Sequence, residues 1–195
     1  MAVGGLAGGE RRQRILDEAL TIVGAKGYHG FGIQELAQRC GLTKPGLLHH
    51  FGSKDQMLIA LLHDRDGREE ADLNRVFLPT YEEAGDPLKQ RDVFRRALRA
   101  LVERSLTQPA LMRLQVVLRA EAINPDHPAH AYFQARQQNS LEHLETAAKP
   151  FSKHPKSLAR QILATMYGLQ TQWLQEEGAF DLIGEWDRAL DVIFA

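Results

Sequence analysis

The residues best placed to do chemistry lie between Ile33 and Phe51, in the stretch IQELAQRCGLTKPGLLHHF. Ala37 is small enough to sit where two short helices cross steeply, and Gly41 tolerates the positive φ of a tight turn. Ile33, Leu36, Cys40, Leu42, Leu47 and Phe51 are spaced to fill the inside corner. This is a helix-turn-helix pattern, and in such a motif the second helix enters a DNA major groove. The chemistry it implies is recognition, with hydrogen bonds and ionic contacts to phosphates and base edges.

Other chemistries find little support. The chain shows no Gly-rich phosphate loop, nucleophile elbow or paired-carboxylate spacing. His127 and His130 are three apart, but Asn124-Pro125 and Pro128 place them at a helix entrance. With no cysteine beside them and no HExxH spacing, they read with His143 and His154 as a solvated face. No metal and no cofactor is expected. Glu69-Glu70 and Glu176-Glu177 read as surface charge.

The elements that must hold the motif are helices. Apolar residues recur at three- and four-residue spacing and no long run alternates. A first helix is expected over about 10–26, with Ile15, Ala19, Ile22 and Val23 on one face and Gly27 as its stop. A second runs from Ile33 to Cys40. A third runs from Lys44 to His50, with Pro45 in its first turn, where a missing N–H costs little. Ser53 caps the fourth, whose apolar side is Met57, Leu58, Leu61 and Leu62. That helix is expected to bend near Gly67, with a break from Pro79 to Pro87. Further helices are expected over 87–107, from Pro109 to Asn124-Pro125, from His127-Pro128 to Ala148, and over 156–177 and 184–194. Cys40 is expected to be a small buried apolar residue.

Composition agrees with a folded, all-α chain. Its 195 residues are 44% hydrophobic and 25% charged, which excludes fibrous and wholly disordered classes. No stretch reaches the roughly 20 apolar residues of a membrane span. The start, MAVGGLAGGERRQR, lacks the apolar core of a secretion signal. The single cysteine cannot form an internal disulfide, so a cytoplasmic setting without membrane attachment is expected. The formal net charge is −1, yet residues 1–55 carry seven Lys/Arg against five Asp/Glu, leaving −3 on the remainder. That small asymmetry permits a DNA-facing first third without establishing it.

Residues 10–62 as a whole resemble the DNA-binding domain of the TetR family of bacterial transcriptional regulators. The likeness rests on Ile15, Ala19, Gly27, Tyr28, Ile33, Ala37, Gly41, Leu42, Thr43, Leu47, His50, Phe51, Ser53, Lys54 and Leu58. It departs at Leu48, where the family usually has an aromatic residue, and Pro45 leaves the reading helix without a donor at its start. The resemblance implies that Thr43 caps that helix and faces a phosphate. It implies that Lys44 reaches a phosphate or a guanine edge, and that Gly46 lets the helix lie close to the duplex. Gln34 and His49 become phosphate or base contacts. His50 packs, and Lys54 clamps the backbone with the helix amides around it. Pro45 and Leu48 complete the DNA-facing set. Arg11, Arg12 and Arg14 could reach the backbone or minor groove from an arm.

The resulting expectation is a flexible arm over 1–9, a helix-turn-helix head over 10–52 (motif 31–50), and a ligand-binding and dimerisation domain over 53–195. About nine helices are expected. The helix over 156–177 carries two apolar stripes, one of Leu158, Ile162, Met166, Leu169 and Trp173, the other of Leu163, Tyr167 and Leu174. Both cannot face one small core, so one should meet a partner or a cavity. Ala164 and Gly168 would allow close helix approach, and the last helix is strongly amphipathic. A homodimer through the last two helices follows, aided by the resemblance. Family members usually hold a small-molecule effector in the helical body. Here Met112, Gln115, Val116, Arg119, Phe133, Gln137, Tyr167, Gln170 and Trp173 are the candidate lining. Arg119 and Glu121 could instead pair on the surface. The expected function is a ligand-responsive repressor of a palindromic DNA operator, released by the effector, and not an enzyme. The alternative is an α-helical small-molecule-binding or enzymatic protein whose head is only structural.

Overall fold

The computed structural model describes residues 8–66 and 85–195. All regular structure among them is helical: α1 (Gly8–Gly30), α2 (Ile33–Arg39), α3 (Lys44–Phe51), α4 (54–66, as far as described), α5 (Pro87–Thr107), α6 (Pro109–Glu121), α7 (His130–Ala148), α8 (Pro155–Gln175) and α9 (Leu182–Ile193). None of these helices is long and apolar enough to cross a membrane. The bend expected near Gly67, the break from Pro79, Glu69-Glu70 and the first seven residues of the arm lie outside the described residues. Gly8 and Gly9, expected in the arm, are already helical.

Local chemistry sets the boundaries. Gly27 has φ 69° and ψ 179°, so α1 breaks there although its turns resume to Gly30. Gly41, at φ 67°, separates α2 from α3. Thr43 caps α3, accepting from the Gly46 N–H at 3.2 Å. Ser53 Oγ accepts from the Gln56 N–H at 3.1 Å at the head of α4. Asp86 caps α5 by accepting from the Leu88 and Lys89 N–H groups at 2.9 and 3.1 Å, with Pro87 following. Each such cap satisfies donors that a helix start leaves open. α7 begins at His130 and not at His127-Pro128. Pro125 and Pro128 turn the chain through single bonds, His127 N–H to Asn124 O (3.0 Å) and His130 N–H to His127 O (2.9 Å).

The chain divides into two compact units that do not follow the expected boundary near residue 52. The first comprises the described residues up to 66 together with Arg113–Tyr132. Its buried side chains include Ile15, Leu16, Ile22, Leu36, Leu47, Met57, Leu58 and Leu61 from the early helices, and Leu114, Leu118 and Ala129 from the later segment. The head's apolar stripe is therefore completed by α4 and by a segment distant in sequence. The second unit holds residues 85–112 and Phe133–Ala195. Its core comprises Phe94, Leu98, Val102, Ala148, Leu158, Ile162, Leu182, Trp186 and Leu190. Met166, Leu169 and Trp173 pack on that core, so the first α8 stripe faces inward. Arg99 ties α5 to α9 through Asp187, and Arg95 does so through Asp191.

Candidate nucleic-acid interface

α2 and α3 hold the two-helix motif by burying Leu36, Ala37 and Leu47 completely, with Phe51 close behind. Ile33, Cys40 and Leu42 are only half-buried, so the inside corner is smaller than the sequence suggests. Cys40 ends α2, and partial burial pushes its thiol pKa up. At an added Gly46 Cβ the nearest atom is Thr43 Oγ1, at 3.2 Å, so a side chain there would crowd the cap.

Of the expected contact residues, Gln34, Thr43, Lys44, Pro45 and His49 are exposed, while Gly46, Leu48 and Lys54 are half-buried. Three of them share one groove. Lys44, Leu48 and Lys54 line a depression of about 490 Å³ together with Phe31, Gly32, Ile33, Gly52 and Ser53. Gln34, Thr43, Pro45, Gly46 and His49 do not line it. His50 lies between its neighbours, with ring centroids 6.1 Å from His49 and 6.4 Å from Phe51. The three arginines of the supposed arm are on α1, and Arg12 sits over the Phe51 ring at 4.9 Å.

Lys54 is held by aromatic faces. Its Nζ lies 4.3 Å from the Tyr28 ring centroid and 5.2 Å from that of Phe31. Burial draws its pKa below the ordinary lysine value, opposed by the charges of Asp55 and Glu121. The Tyr28 hydroxyl donates to Asp55, and burial with that carboxylate pushes the phenol pKa up to about 12. Phe31 carries none of the sequence argument. The signal in the sequence was an aromatic pair three apart, astride Gly30, directly before α2.

A second tie was also invisible locally. Glu121 accepts from the Tyr28 N–H at 2.8 Å, and its carboxylate occupies the space beside Gly27, where a Cβ would lie 2.2 Å from Oε1. Glu121 thus turns to the end of α1. His127 is 4% exposed, which overturns its assignment to a solvated face. Its Nδ1 accepts from the Ala129 N–H at 3.1 Å, and its Nε2 stands 3.6 Å from Glu121. Tyr28 and His29 pack edgewise on its ring. Burial lowers its pKa, with Glu121 opposing. Among the described residues no cluster of His, Cys, Asp and Glu is arranged to hold a metal ion.

The candidate effector residues divide between the units. Gln115, Val116 and Arg119 are half-buried in the first. In the second, Met112, Phe133 and Gln170 are buried, Tyr167 and Trp173 are half-buried, and Gln137 is exposed. Arg136 was missed. Burial lowers its pKa, and Tyr167 is the group that opposes the shift.

Residues 15–61 match the family model described as bacterial regulatory proteins, tetR family. The chain is 42% identical over 53 residues to the HTH-type transcriptional activator FasR of Mycolicibacterium smegmatis, covering 27% of this chain and 24% of that protein. It is 33% identical over 64 residues to the HTH-type transcriptional repressor AcnR of Corynebacterium jeikeium, covering 33% of each. The matched part thus spans only a quarter to a third of these relatives. A crystal structure of AibR in complex with isovaleryl coenzyme A and operator DNA superposes with a TM-score of 0.70 at 21% identity, covering 94% of this chain and 98% of AibR. That likeness concerns the fold. The likeness to the tetR family of bacterial regulatory proteins thus lies in the helix-turn-helix head, residues 15–61.

Proposed function

We propose that the protein is a transcriptional regulator, not an enzyme, that binds a palindromic operator as a homodimer and releases it when a small effector binds the helical body. The observation that carries this reading is the groove where Lys44 on α3 and Lys54 on α4 converge beside the exposed first turn of α3. Two cations flanking a helix that can enter a groove suit phosphate contact on either side of a base-reading edge. Gln34, Thr43, Pro45, Gly46, Leu48 and His49 complete the proposed contact surface. The test is an electrophoretic shift with the DNA upstream of the protein's own gene, over a salt series. The expected result is binding whose logarithm falls linearly with the logarithm of salt. Equal affinity at low and high salt would overturn the reading.

The dimer is proposed through α8 and α9. Gln161, Ala164, Gly168 and Gln172 form an exposed uncharged line along α8, with nothing within 4 Å of a Cβ built at Gly168. Val192 on α9 is 78% exposed. An operator-bound dimer needs its two α3 helices about 34 Å apart, the spacing of successive major grooves. Sedimentation equilibrium tests it, and a monomer at micromolar concentration would refute it.

The effector is proposed to be an anionic small molecule. Arg136, Phe133, Tyr167 and Gln170 supply a cation, two aromatic rings and a buried amide within the second unit, and AibR, of like fold, was solved with isovaleryl coenzyme A. Isovaleryl coenzyme A in a thermal-shift assay is the first probe, since a ligand specific to the folded state raises the midpoint. FasR is named an activator and AcnR a repressor. Repression is proposed here, and a transcription assay with and without the protein decides it.

A further inference from the structure

We propose that Leu48 reads the methyl group of a thymine, so that the reading helix selects an A·T pair at a fixed place in each half-site. The inference rests on the DNA reading above and adds the base class. α3 is KPGLLHHF, and its inward positions are Leu47 and Phe51. At 3.6 residues per turn, Pro45 and His49 lie on the side turned away from that core, and Lys44 stacks with Leu48 on the flank between that side and the core. Pro45, His49 and Lys44 are exposed, and Leu48 is half-exposed beside them.

That face is chemically unusual for a base-reading surface. The helix contains no Asn or Gln, whose amide pairs with adenine, and no carboxylate to accept from cytosine. Leu48 offers only methyl groups. Four base edges line a major groove, and the thymine C5 methyl is their one apolar feature. A leucine set against any other edge would strip water from a donor or acceptor without replacing its hydrogen bond.

Placement supports the same reading. Leu48 lines the groove with Phe31 and Ile33, so it has apolar neighbours while staying half-exposed. Lys44 lies one turn before it, and Lys54 lies on the same groove. A phosphate held by these cations brings the neighbouring base edge to Leu48.

The test begins by selecting duplexes from a random pool with the full-length protein. Each thymine of the selected half-site is then replaced by deoxyuridine, which removes one methyl and changes no hydrogen bond. At one position the affinity should fall about fourfold per half-site, and about fifteenfold when both half-sites are changed, the value of one buried methyl each. Leu48→Ala should bind the thymine duplex more weakly and lose its sensitivity to uracil at that position alone. The inference is overturned if no thymine shows the effect, or if Leu48→Ala keeps it at every position. A pool from which no sequence is enriched overturns the DNA reading itself, and the inference falls with it.

Discussion

Replacing Gly27 with alanine tests the tie between the end of α1 and the carboxylate of Glu121. The backbone at Gly27 has φ 69° and ψ 179°, a region an L-residue with a Cβ occupies at a cost of about 1–3 kcal/mol. The added carbon would also lie 2.2 Å from Glu121 Oε1, so the carboxylate must leave. Its departure removes the charged acceptor of the Tyr28 N–H, a bond of 2.8 Å whose loss costs about 1.5–3 kcal/mol. Gly27→Ala should therefore destabilise the protein by roughly 2.5–6 kcal/mol, the sum of those two costs. Glu121→Ala alone should cost only the second of them. Because both substitutions break the same hydrogen bond, the double variant should be no less stable than Gly27→Ala. The coupling energy is then about 1.5–3 kcal/mol, the bond counted once. Urea unfolding followed by circular dichroism measures all three variants. A Gly27→Ala penalty below about 1 kcal/mol, or strict additivity in the cycle, would refute this account of the joint.

Lys44→Ala should weaken operator binding about tenfold or more with urea stability unchanged, and its salt slope should fall by about 1 for each phosphate that the lysine neutralises in the parent; an unchanged slope and affinity would remove Lys44 from the interface. Tyr28→Phe keeps the ring beneath Lys54 but loses the bond to Asp55. It should cost about 1 kcal/mol in a urea titration, and Tyr28→Leu about 0.5–1 more as the cation–π interaction goes. Burial lowers the His127 pKa below its ordinary 6.5. The neutral ring's contribution is then complete above pH 6.5 and is lost as pH falls through the folded value. Stability should drop from pH 7 toward pH 5 in the parent, less so in His127→Gln, and equal slopes would show that His127 does not titrate there.

Local signals carried most of the fold. Thr43, Ser53 and Asp86 mark helix starts by accepting from nearby N–H groups, so α3, α4 and α5 were legible to within a few residues. Gly41 marked the turn for the same reason, since its φ is a property of one residue. The errors arise where distant segments decide. Glu121 meets Tyr28 across 93 positions, and no pattern near either residue records that meeting. His127 lies between two prolines, a surface signature, yet it is buried because Tyr28 and His29 cover it. Lys54 was legible as a cation near the start of α4. The rings of Tyr28 and Phe31 that hold it come from another part of the chain.

The first compact unit is finished by residues as late as Tyr132. Leu114, Leu118 and Ala129 are wholly buried within it, so a nascent chain that has just emitted α4 still has bare apolar surface where they belong. Vectorial synthesis therefore cannot complete the front of this molecule first: roughly two thirds of the polypeptide must leave the ribosome before the front closes. A fragment cut just after α4 would inherit that unfinished surface permanently.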